Sequence, residues 1–211
     1  MKKDILFLDT SWVADAFGRN EGDTERFVQI LDSLNDAYDV RITDRVYEES
    51  VSDVKYPKDA TFKKWLEDNN VEKIVTQTPP GRDAGELSIV EVMDKNPALA
   101  QAKIASHDVN FFDAEDASKG GHAYAGNTVT LQDTLKKLVL HADLPEAVYQ
   151  DLSENGSPNL RGGWEGLAEV KAQLSSFMGQ QAQATDDGQK KAPQQKVAPQ
   201  QKTGFSKQSN P

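Results

Sequence analysis

The feature that most restricts this chain is a regular exchange of short apolar runs for stretches with helical spacing. Runs at 5–8 (Ile-Leu-Phe-Leu), 38–43, 71–76 and 103–106 are too short for buried helices and rich in branched or aromatic residues, as strands are. Between the first two, Phe27, Ile30, Leu31 and Leu34 recur at helical intervals within 24–38, and Phe62, Trp65 and Leu66 do so within 58–69. Helices are also expected over 45–53 and 83–94, and a fifth strand over 128–131. Single helices between strands imply crossover connections, so an α/β fold is expected, its parallel β-sheet flanked by helices on both faces.

Composition narrows what such a fold can be used for. With no cysteine in 211 residues, disulfide scaffolds and Cys-ligated zinc or iron–sulfur sites are excluded. His107, His122 and His141 lack zinc-ligand spacing and read as partly exposed histidines. The apolar run at 5–8 is too short for a signal-peptide core and far short of the roughly 20 residues a bilayer span requires, so a cytoplasmic location without membrane contact is expected. A net charge of −10 argues against binding nucleic acid by blanket phosphate neutralisation. It leaves room for an enzyme whose carboxylates hold metal ions against a phosphodiester.

The composition also sets domain limits, with a main α/β domain over 1–142. A helical extension follows over 143–178, where Leu167, Val170, Leu174 and Phe177 form a stripe for the domain itself or for a partner groove. From 179 to 211 the chain is dominated by Gln, Lys, Ala and Pro and repeats Ala-Pro-Gln-Gln-Lys, the composition of a disordered tail. Five lysines there outnumber Asp186 and Asp187, so the rest of the chain is more acidic than the whole.

In an open parallel sheet, ligands bind beyond the carboxyl ends of the strands. Acidic residues recur at those places: Asp9 after the first strand, Glu48 and Glu49 past the second, Glu86 opening the helix after the third, and Asp108 after the fourth, with Asp113 beyond it. Carboxylates crowded together repel one another, and a divalent cation is the natural compensator. Mg²⁺ and Mn²⁺ prefer oxygen ligands and can activate water beside a phosphodiester.

These segments also carry a resemblance. Phe7-Leu8-Asp9-Thr10-Ser11 resembles the opening strand of PIN-domain ribonucleases, Val46-Tyr47-Glu48-Glu49 their second acidic motif, and Asp83-Ala84-Gly85-Glu86 the Gly-Glu form of their third. Ile104-Ala105-Ser106-His107-Asp108-Val109-Asn110-Phe111 is similar to the fourth. Order and spacing fit over about 4–140. The resemblance implies a PIN-like three-layer fold and a Mg²⁺- or Mn²⁺-dependent endoribonuclease. Asp9, Glu49, Glu86 and Asp108 would be its catalytic, metal-holding quartet, with Thr10, Ser11 and Asp113 in support. Many small members are VapC-type toxins neutralised by a partner protein, so the expected partners are RNA and a cognate antitoxin, with a homodimer left open. Two positions depart from the pattern: His107 stands where Asn or Asp is common, and Val109 where Arg or Lys is. Phosphate contact would then fall to Arg19, Arg45, Arg82 or Lys103.

Plainer readings stand beside these. Asp9 can simply end a strand, with Thr10 or Ser11 capping the next helix. Glu48 and Glu49 can share a solvated face, and the choice of Glu49 rests on motif register. Asp83 and Glu86 have capping-box spacing. A catalytically weak or inactive PIN-like module that binds protein or nucleic acid is the alternative to the nuclease, and DNA is not separable from RNA as the target.

Overall fold

The structure is a computed structural model that describes residues 3–19, 22–51, 56–108, 110–141 and 144–155, with 166, 168, 169, 171 and 172 beyond them. The chain divides into two units, Met1–Lys171 and Ala172–Pro211, and apart from Ala172 the described residues belong to the first. The segment 179–211 and the stripe Leu167, Val170, Leu174 and Phe177 lie outside the described residues.

Five strands build one sheet: β1 (Asp4–Leu8), β2 (Tyr38–Thr43), β3 (Glu72–Ile74), β4 (Lys103–Ala105) and β5 (Thr128–Val129). Their order is β3-β2-β1-β4-β5 and every pairing is parallel. β1 is central, and its Leu6, Phe7 and Leu8 are all fully buried, so both faces of this strand are covered. That is why its sequence is a continuous apolar run, whereas Tyr38–Thr43 mixes buried and half-buried positions.

Among the described residues, seven α-helices accompany the sheet: α1 (Thr10–Arg19), α2 (Thr24–Ala37), α3 (Asp44–Ser50), α4 (Pro57–Asp68), α5 (Ala84–Lys95), α6 (Leu131–His141) and α7 (Glu146–Asn155). Their starts are chemically marked. Asp23 accepts the amides of Glu25 and Arg26, Thr43 accepts that of Val46, and Pro57 takes the first turn of α4, where its missing N–H costs nothing. Phe27 of α2 meets Phe17 of α1 edge-on at 5.4 Å, and Phe62 stacks on Trp65 within α4 at 6.2 Å. α2 packs against α4 and α6, and α3 against α5.

Several boundaries differ from the sequence expectation. The strand expected over 128–131 ends at Val129, because Thr130 and Asp133 bond each other's main-chain amides and start α6 at Leu131. β3 keeps only Glu72–Ile74 of the six expected residues; beyond it the amides of Thr76 and Gln77 turn to the carboxylates of Asp44 and Glu91. The capping box of Asp83 with Glu86 does not form: Asp83 has left-handed backbone angles (φ 56°, ψ 24°) and makes no side-chain cap bond. Within the expected helical extension, α7 buries Val148, Tyr149 and Leu152. Among the described residues no helix is long and apolar enough to cross a membrane.

The strand order places the functional end. From β1 the chain steps outward to β2 and β3, then returns to lay β4 on the other side of β1. The change of direction opens a crevice beyond the carboxyl ends of β1 and β4, where ligands of open parallel sheets bind.

Over this end runs the connection from β4 to β5. Phe111 and Phe112 are buried edge to face at 5.0 Å, and the Gly121 amide donates to the Phe111 carbonyl at 3.1 Å. A Cβ on Gly121 would lie 2.7 Å from the Phe111 ring and would also strike Phe112, so the chain can close over the two rings only with glycine there. Gly121→Ala is therefore expected to lower stability by about 1–3 kcal/mol through overpacking. Urea denaturation beside wild type measures it, and an equal midpoint and slope would contradict this account.

Candidate active site

Asp9 follows β1 directly and is fully buried. Parallel pairing sets Leu8 opposite Ala105, and this register brings Ser106 beside Asp9. Asp9 Oδ2 accepts the hydroxyls of Ser106, at 2.9 Å, and of Ser11. Each serine is held in turn, since Ser11 Oγ accepts the His107 amide at 2.9 Å and Ser106 Oγ accepts the Asp108 amide at 3.0 Å. Asp9 Oδ1 is buried and has no hydrogen-bond partner among the described residues. Burial raises the Asp9 pKa above the usual carboxylate value, and the two serines oppose that rise.

Glu49 comes from α3. Its Oε2 accepts the Thr10 hydroxyl at 2.9 Å and its Oε1 the Gly85 amide at 3.1 Å, at the start of α5. The approach is close enough that a Cβ on Gly85 would stand 2.7 Å from Glu49 Oε2. The neighbouring Glu48 points elsewhere and pairs with Arg45 at 2.5 Å. Asp108 accepts the amides of Asn110 and Phe111 at 3.0 and 2.9 Å, which turns the chain sharply after β4.

Glu86, in the first turn of α5, is buried with 9% of its surface exposed. Its pKa is pushed up to about 7, first by burial, then by the charge of Asp9, with smaller contributions from Glu49 and Asp108. Three segments distant in sequence thus bring three carboxylates within electrostatic reach of Glu86.

The remaining candidates are placed as follows. Thr10 and Ser11 open α1 and bond Glu49 and Asp9, respectively. Asp113 lies in the β4–β5 connection and accepts the Glu115 amide at 2.8 Å. Arg45 is committed to the Thr78 carbonyl at 2.6 Å and to Glu48. Lys103 is at the amino end of β4, away from the crevice. Arg82, three residues before Gly85, has a side chain 93% exposed and 3.5 Å from Asp83. Arg19 ends α1, with its side chain outside the described set, as is Val109. Sequence reasoning missed the clamp role of Ser106. It also missed Asp15, whose Oδ2 lies 2.8 Å from His107 Nε2. A lone serine or aspartate gives no local signal of such roles.

A hard divalent cation suits this donor set in kind, since every group is a carboxylate or hydroxyl oxygen. The unsatisfied Asp9 Oδ1 and the raised Glu86 both favour positive charge here. Yet among the described residues no three His, Cys, Asp or Glu side chains are gathered in position to hold a metal ion. Two of the carboxylates are engaged elsewhere: Glu49 accepts the Thr10 hydroxyl and the Gly85 amide, and Asp108 Oδ1 accepts the amides of Asn110 and Phe111. Ligation would require those two side chains to turn inward; Glu49 is exposed enough to do so.

The chain matches no family model, no curated protein and no solved structure.

Proposed function

We propose that this protein is a Mg²⁺- or Mn²⁺-dependent endoribonuclease with a PIN-like active site at the β1–β4 crevice. The observation that carries this reading is Glu86, whose pKa is pushed up to about 7 first by burial and then by Asp9, with smaller contributions from Glu49 and Asp108, residues of three other segments. Carboxylates so arranged are costly to a fold, and perturbed groups of this kind cluster at sites of chemistry. Asp9, Glu49, Glu86 and Asp108 would hold the cation. It would activate water and screen the charge of the scissile phosphate. The serine clamp orients Asp9 in advance, so this carboxylate needs little reorganisation when the site is loaded, whereas Glu49 and Asp108 would have to turn. Glu86 can hold or release a proton near neutral pH. Arg82 is the exposed cation nearest to Glu86 in sequence and would meet substrate phosphate. RNA as substrate and an inhibitory antitoxin follow from the resemblance of the four acidic segments alone, and a homodimer is left open.

A non-catalytic binding module is the second reading, and it is favoured by the engagement of Glu49 and Asp108 with main-chain amides. One comparison separates the two. Purified full-length protein is offered RNA and DNA pools with Mg²⁺, Mn²⁺ or EDTA, and its melting temperature is followed through a Mn²⁺ titration. The nuclease reading expects cutting of RNA that EDTA stops and a melting temperature that rises with Mn²⁺, because metal binds the native state. No cutting and no rise at millimolar Mn²⁺ would give the module reading its place. Cleavage independent of the 2′-hydroxyl would move the target from RNA to nucleic acid in general.

A further inference from the structure

His107 stands between the two residues that β4 delivers to the crevice, Ser106 and Asp108. Its side chain reaches toward α1 and α6. There His107 Nε2 lies 2.8 Å from Asp15 Oδ2 on α1 and 3.2 Å from the Leu131 amide at the start of α6. Both side chains are largely enclosed, at 24% and 7% exposure. One nitrogen cannot serve both neighbours at once. The Leu131 amide donates to Nε2 when the ring hydrogen is on Nδ1, and the ring bonds Asp15 only with a hydrogen on Nε2. The His107 main-chain amide is tied as well, to Ser11 Oγ at 2.9 Å. One residue therefore places the exit of β4 against Ser11 and Asp15 of α1 and against the start of α6.

We propose that His107 is a positioning residue of the acidic site. It braces the β4 exit against α1 through Asp15, and so sets where Ser106 and Asp108 stand relative to Asp9. The inference rests on the hydrolase reading of the crevice. Reacting groups tolerate little displacement, since a shift of about 1 Å can cost about 100-fold in rate. Without the brace, Asp108 is free to drift while Asp9 keeps its own burial just after β1.

The test compares full-length wild type with His107→Phe, which keeps an aromatic ring without nitrogens, His107→Gln, which keeps a donor for Asp15, and Asp15→Leu, which removes the acceptor. Three readouts are taken: kcat and KM on RNA, the midpoint of the Mn²⁺-dependent rise in melting temperature, and hydrogen exchange of the residue-107 and Asp108 amides without metal. Expected for His107→Phe is a fall in kcat of about 10- to 100-fold with KM nearly unchanged. Its Mn²⁺ midpoint should rise about 10-fold, and the two amides should exchange faster while those of β1 do not. Glutamine should restore kcat to within about threefold. If the phenylalanine variant does not fold, Asp15→Leu, which is close in size and removes the acceptor, carries the same comparison. Wild-type midpoint, kcat and exchange in folded His107→Phe overturn the inference, as does a glutamine variant no better than phenylalanine. Wild-type protein that neither binds Mn²⁺ nor cuts RNA sinks the hydrolase reading instead, and unchanged exchange in the variants then sinks the brace independently.

Discussion

Asp9→Asn is expected to lose at least about 1000-fold of the metal-dependent cleavage of RNA while the protein stays folded. The loss follows from charge. Asp9 is the fully buried member of the four carboxylates, and asparagine would offer a cation a neutral oxygen in place of an anionic one. The fold should survive because the asparagine oxygen can still accept the hydroxyls of Ser11 and Ser106. Burial also disfavours the ionised carboxylate, so the variant gives up a group whose charge the native state tolerates poorly. Cleavage assays beside thermal melts in EDTA check both halves. Wild-type cleavage by the variant would remove the proposed site.

The second large effect concerns pH and Glu86. Its folded pKa of about 7 lies above the ordinary 4.5, so between those values the native protein keeps a proton that the unfolded chain has released. Stability contributed by this group is present in full below about pH 4.5 and is lost as pH rises through 7. The linkage bounds the loss at about 3 kcal/mol, and solvent screening at the crevice mouth reduces it to about 1–2 kcal/mol. Glu86→Gln cannot ionise. In EDTA at pH 8 it is expected to be more stable than wild type by that amount, and the two should converge near pH 4.5. Adding Mn²⁺ should reverse the order by stabilising wild type more. Urea denaturation across pH 4.5–8 measures this, and parallel curves for the two proteins would show that Glu86 does not carry the crevice's electrostatic cost.

Much of the architecture was legible beforehand, for local reasons. Tyr38–Thr43 and the helix beginning at Thr24 lie where branched residues and helical spacing mark them, with Asp23 as the cap. The misjudged boundaries lie where tertiary partners compete for the backbone. Thr76 and Gln77 give their amides to Asp44 and Glu91 instead of extending β3. Asp83 takes a left-handed conformation in place of the cap its spacing suggested, a conformation that aspartate tolerates better than most residues.

The candidate site divides in the same way. That acidic residues follow the strands is a property of the sequence, and a parallel sheet turns it into a shared location. Which oxygen bonds to which donor is settled by register. Leu8 must stand opposite Ala105 before Ser106 can reach Asp9, and Gly85 must lack a Cβ before Glu49 can reach its amide. His107 shows the limit most sharply, because its partners Asp15 and Leu131 lie 92 residues before it and 24 after. Strand and helix periods, caps and the order of the acidic segments are written in neighbouring residues, so the sequence alone determined them. Hydrogen-bond partners, burial and the mutual repulsion felt by Glu86 depend on distances between segments far apart in the chain, and those distances exist only once the sheet has closed.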